Sequence, residues 1–146
     1  MNNLGLRHLT AFLLLSVNTW KDCRKREISV YGTLGPGLFG LFLTIAAGGT
    51  DLVYFAGFSI GLLFLGFSLL TQGAAGAGDA FVLLSLGALL PWDSVLASLT
   101  AALLISAFCC LFLITVKHRS RKADIPFLPF LLAGYLLSHF AFFWKA

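Results

Sequence analysis

Long apolar runs separated by short polar clusters set the pattern of this chain. Hydrophobic residues dominate about 4–20, 32–48, 52–71, 80–91, 94–116 and 126–143, and nearly all charges fall between these runs. A helix needs about 20 apolar residues to cross a hydrocarbon core of roughly 30 Å. Runs with no wet face are expected where the surroundings are apolar on every side. The pattern predicts an all-α, polytopic fold of about six transmembrane helices, in one membrane-embedded domain over 1–146. The fourth run is short for a crossing. A tilted helix, one sunk below the surface, or one extended backward through the Gly/Ala turn at 73–78 would accommodate it, and each keeps Asp79 near the membrane face.

Turn chemistry marks the breaks: Gly48-Gly49-Thr50-Asp51, the Gly/Ala stretch, and Pro91-Trp92-Asp93-Ser94. Leu9 to Val17 imitates the core of a signal peptide. Trp20-Lys21 offers no small-residue cleavage site, so the run is read as a retained first helix.

Composition narrows the class further. With 59% hydrophobic and 11% charged residues, the chain suits an integral membrane protein and not a water-soluble domain. Its net charge of +4 sits beside helix ends, where topology and anionic lipids explain it. No interleaved aromatic and basic platform for nucleic acid is present. The three cysteines offer neither a disulfide framework nor metal-ligand spacing, and no metal or cofactor is expected.

The basic clusters also orient the chain. Lys21, Arg24, Lys25 and Arg26 follow the first run, and Lys117, Arg119, Arg121 and Lys122 follow the fifth. Cytoplasmic loops carry such excesses, so six crossings would leave both termini outside and the loops after helices one, three and five inside. Asp22 and Asp79 then share the cytoplasmic face. Asp51 and Asp93 fall outside, each at a helix start where a cap or dipole partner is expected. Asp124, before Ile125-Pro126, reads as a cap on helix six.

Ionisable residues at the edge of hydrocarbon are costly and mark functional sites by default. Two carboxyls brought together cannot both ionise cheaply, so one holds a proton while the other remains a base. Such a pair can activate water and polarise a peptide carbonyl. It titrates as a unit, and the sequence assigns neither role to one residue. Asn18, one turn before Asp22, is a candidate to orient it. His139 is expected to be a hydrogen-bonded core residue. Gly35-Pro36-Gly37-Leu38-Phe39-Gly40 spells a dinucleotide-binding pattern without its strand-turn-helix context, and reads as helix-start and packing chemistry. Gly57 and Gly61 predict a close helix contact.

Three segments carry a family resemblance: Asp22-Cys23-Arg24-Lys25-Arg26-Glu27-Ile28, Gly76-Ala77-Gly78-Asp79, and Ile125-Pro126-Phe127-Leu128-Pro129-Phe130. In this order and at these helix ends, they resemble the catalytic segments and the I-P-F-x-P-F element of the type IV prepilin peptidases. The resemblance implies a membrane aspartic endopeptidase that cuts the basic leader from a prepilin or pseudopilin precursor at the cytoplasmic face. It implies Asp22 and Asp79 as catalytic residues, with Gly76 and Gly78 leaving room for substrate. The family usually has Lys two residues after the second Asp; this chain has Phe81. Ser29 stands where the family often has Pro. The zinc-binding cytoplasmic insertion of larger members, which also methylate the mature pilin, is missing, so no N-methyltransferase activity is expected. The alternative is a non-catalytic transporter subunit or pilus-assembly adaptor, with Asp79 as an ion site and Asp22 a helix-end charge.

Overall fold

The computed structural model describes residues 4–25, 30–46, 52–71, 77–117 and 126–145. Among them are six α-helices: α1 Leu4–Lys25, α2 Val30–Ala46, α3 Leu52–Leu70, α4 Ala77–Leu89, α5 Trp92–Lys117 and α6 Leu128–Lys145. All-helical character and helix order follow the apolar runs. The boundaries differ in instructive ways.

The first helix does not stop where its apolar run ends. It continues to Lys25, because Lys21, Arg24 and Lys25 are good helix formers and cations at a helix C-terminus oppose its negative dipole end. Asp22 therefore sits on the last turn of α1, not in a loop after it. The fourth helix begins at Ala77, three residues ahead of its apolar run, and so carries Asp79 into its first turn; residues 72–76 of the Gly/Ala turn lie outside the described residues. Pro36 corrects another expectation: it lies inside α2, not at its start. A membrane helix tolerates the missing N–H where neighbouring groups satisfy the backbone.

α4 is the axis of the bundle. Ala80, Val82, Leu83, Leu86, Ala88 and Leu89 are buried, and α1, α2, α3 and α5 all pack against it. Glycines let the partners come close. A Cβ on Gly57 would meet the carbonyl oxygens of Gly87 at 2.8 Å and Leu90 at 2.9 Å, and one on Gly61 would strike the Leu84 backbone. The expected contact through Gly57 and Gly61 is thus the α3–α4 seam, where backbone proximity replaces side-chain interdigitation. α6 closes the bundle against α5 and α1.

The outer helices have the opposite character. α3 and α5 are long and apolar enough to cross a membrane, yet only 17% and 6% of their most apolar windows are buried inside the protein. Leu103, Leu104, Phe108, Leu111 and Phe112 of α5 point away from the bundle. A soluble protein buries its most apolar helix, and apolar surface on this scale needs a nonpolar medium or partner.

Candidate active site

Asp22 and Asp79 reach one place from opposite ends of their helices. Asp22 is half-buried near the C-terminus of α1 and Asp79 half-buried near the N-terminus of α4, and the two helices pack together. At the head of α4, ahead of the apolar run from residue 80, the helix dipole favours an ionised Asp79. Burial works against ionisation, and so does the negative charge of Asp22. The latter two prevail: the Asp79 carboxyl is pushed from its ordinary 3.8 up to about 6, mainly by burial and then by Asp22. The structure therefore brings the two sequence-predicted acids within electrostatic reach.

Gly78 adjoins Asp79 in α4, while Gly76 lies outside the described residues. Phe81, where the resemblance calls for Lys, is partly buried. Asp51 and Asp124 also fall outside the described residues. Asp93 occupies the first turn of α5, as expected for a dipole partner. Cys23, Cys109 and Cys110 are free thiols, and among the described residues no three of His, Cys, Asp and Glu cluster around a metal-sized space.

One turn below the acids lies a polar layer that the sequence reading only touched. Asn18 is buried, with 2% of its surface exposed. Its amide donates to the Leu14 carbonyl at 2.9 Å, and its Oδ1 accepts from the Thr33 hydroxyl of α2 at 3.1 Å. The Ser85 hydroxyl of α4 donates in turn to the Thr33 carbonyl at 2.7 Å. Asn18 was anticipated beside Asp22; Thr33 and Ser85 were not.

Alongside Asp22, the outer face of α1 carries a mainly apolar cavity of about 280 Å³ lined by Val17, Trp20, Lys21 and Arg24. The Arg24 guanidinium stands 5.8 Å from the Trp20 ring centre. An aromatic ring and two cations on one face suit the boundary between hydrocarbon and headgroups.

These features match a known pattern over most of the chain: residues 9–115 fit the model of the type IV leader peptidase family. The chain belongs to this family. The matched region contains both aspartates and ends before the Pro126–Phe130 element. Comparison with curated proteins and with solved structures gives no match. Membership makes the chain a leader peptidase-type protease of a membrane-embedded family.

The far end of this peptidase's bundle holds a second polar group. Arg7, 4% exposed, donates from Nη2 to Thr44 Oγ1 at 3.0 Å and lies 4.1 Å from the centre of the Tyr54 ring. Its Nη1 is buried without a hydrogen-bond partner. His8 and His139 meet edge to face at 4.3 Å between ring centres, with Tyr135 4.5 Å from His139. The expectation that His139 is hydrogen-bonded fails at Nε2, which is buried and unpartnered; ring-to-ring contacts hold the imidazole in place.

Proposed function

We propose that this leader peptidase is an aspartic endopeptidase, with Asp22 and Asp79 as its catalytic pair, acting on the leader of prepilin-like precursors at the cytoplasmic membrane surface. The observation that carries the reading is the convergence of Asp22, on the last turn of α1, and Asp79, on the first turn of α4, where burial and then the Asp22 charge raise the Asp79 carboxyl. A carboxyl so placed retains its proton within reach of physiological pH while its neighbour serves as base, the division of labour that hydrolysis of an amide requires.

In the proposed reaction the ionised carboxylate takes a proton from water as the water oxygen attacks the scissile carbonyl carbon. The protonated carboxyl donates to the carbonyl oxygen. The resulting tetrahedral diol collapses, the C–N bond breaks, the carboxyl that received the water's proton returns it to the leaving amine, and a diol hydroxyl gives its proton to the other carboxylate as the new C=O forms. One water is consumed and both carboxyls regain their starting protonation. No residue outside the pair is required to gain or lose charge.

The proposed topology has six crossings with both termini outside, which would put this chemistry at the cytoplasmic face. Support comes from the basic residues beside Asp22 and from the apolar outer surfaces of α3 and α5. A precursor with a hydrophobic N-terminal helix would meet the site from within the bilayer. Its basic leader would be repelled by Lys21 and Arg24, so attraction falls to the hydrophobic segment. Gly78, and Gly76 before it, would leave backbone space for an extended peptide beside Asp79. The chain is proposed to cleave without methylating its product.

Co-expression with candidate prepilins in a host lacking such peptidases tests the assignment by the size of the precursor. Wild type shortens the precursor, while Asp22→Asn and Asp79→Asn, at matched expression, do not. Shortening that survives either substitution removes the paired-acid mechanism.

A further inference from the structure

The two acids stand on different helices, and their separation decides whether one proton is shared. Asn18 lies four residues before Asp22, about 6 Å along α1, and Ser85 six residues after Asp79, about 9 Å along α4. Between them stands Thr33 of α2, wholly buried. Its hydroxyl holds the Asn18 side chain at 3.1 Å, and its carbonyl receives the Ser85 hydroxyl at 2.7 Å. Thus one residue of α2 ties the helix of the first acid to the helix of the second. Gly37, one turn along α2, makes room for this link: a Cβ there would lie 2.7 Å from Ser85 Oγ.

We infer that Thr33 is a positioning residue for the acid pair, the centre of a buried brace from Asn18 to Ser85 that fixes the spacing of Asp22 and Asp79. The inference rests on the aspartic reading for its catalytic consequence, but the spacing itself is measurable without substrate. Apolar surroundings give the brace its stiffness. In a water-excluded layer the Asn18 oxygen has few alternative donors, so its hydrogen bond resists exchange.

The surroundings of Asp79 make its titration a clean reporter. Asp22 is the group that acts on it from α1. Tyr54 of α3 packs at the Arg7 end of the bundle, and Asp93 stands at the opposite end of α4, at the start of α5. Cys109 and Cys110 lie along α5, partly buried. Among the described residues α2 presents no charged side chain to α4. If the brace is cut, Asp22 moves off and water enters. Each change lowers the Asp79 midpoint.

The test follows the Asp79 carboxyl carbon by NMR through an acid titration of the full chain in nanodiscs, with Asp79→Asn identifying the signal. Thr33→Val, which keeps side-chain shape and deletes the hydroxyl, moves the midpoint from about 6 toward 3.8. It also lowers kcat roughly 10–100-fold through misplacement, with KM little changed. Thr33→Ser restores both. A folded Thr33→Val protein with the wild-type midpoint overturns the inference, even if its melting temperature falls, because that is the behaviour of a residue that only packs. Should Thr33→Val not fold, Ser85→Ala cuts the other arm and is judged by the same midpoint. The peptidase reading fails separately: if Asp22→Asn still cleaves while Thr33→Val shifts the midpoint, the brace stands and the paired-acid mechanism does not.

Discussion

The two ends of the bundle both bury ionisable side chains and resolve the cost in opposite ways. At one end burial and, after it, the charge of Asp22 raise the Asp79 carboxyl to about 6. At the other, Arg7 is covered by the Tyr54 ring at 4.1 Å and tied to Thr44, with His8, His139 and Tyr135 stacked edge to face beside it. Like charges held together are costly and retained where chemistry uses a labile proton. A cation under an aromatic ring is attracted to it. The difference separates the proposed reactive centre from an anchor.

The comparison breaks most decisively in turnover. Asp22→Asn and Asp79→Asn are expected to cut the cleavage rate of purified protein by roughly 10²–10⁴-fold, the range for losing a general acid or base. Tyr54→Leu should leave kcat unchanged. Equal losses from the two ends in a single-turnover assay would mean that the far cluster takes part in the reaction and that the contrast is misdrawn.

A smaller effect tests the repulsion directly. Asp79 binds its proton more tightly folded than unfolded, so between about 4 and 6 the native state holds more protons and stability falls as pH rises. The raised carboxyl thus destabilises the fold above pH 6 and costs nothing below its unfolded value of 3.8. Asp79→Asn should therefore stabilise the protein at neutral pH by about 2 kcal/mol, after allowance for partial exposure, and lose that advantage at pH near 4. Melting curves of both proteins across that window decide it; an Asn variant less stable than wild type at neutral pH would show that Asp79 is held by favourable contacts instead.

At the anchor end the sign reverses. Tyr54→Leu removes the ring from a desolvated guanidinium and should cost about 1–2 kcal/mol at every pH from mildly acid to neutral. A pH-independent loss, measured by denaturation in the same detergent, sharpens the contrast with Asp79. No loss would mean that the ring only fills space.

How much of this was written in the chain depends on the kind of signal. Apolar runs announced the helices in order, because burial in an apolar medium is a property of whole segments. The acid pair was legible because loop charges placed both residues on one side, and because each sat in a recognisable motif. The close seam at Gly57 and Gly61 was legible for a similar reason: small residues one turn apart have few other uses in such a helix. Thr33 and Ser85 were not. Hydroxyls in apolar helices commonly bond their own preceding turn, as Thr10, Ser59, Thr100 and Thr115 do, and a helix with apolar residues all round does not reveal which hydroxyl faces a neighbour. The unpartnered Nε2 of His139 was missed because burial was inferred without knowing that aromatic rings would be its neighbours.

The finest test concerns Phe81, where the family resemblance calls for Lys. On a helix, residues two apart point to different faces, so a lysine at 81 would not sit on the Asp79 carboxyl and could act only through its long flexible arm and the partly screened field between them. A cation favours the ionised form. Phe81→Lys is therefore expected to lower the Asp79 midpoint and the acid limb of the cleavage profile together, by less than about one unit. The repulsion from Asp22 would be softened without being removed, leaving Asp79 above its ordinary 3.8. A shift of the NMR midpoint in the other direction would mean that replacing the ring has buried the acid further. A fall all the way to the ordinary value would place the lysine in direct contact with the carboxylate, and would require α4 to turn its first-turn face away from Asp22.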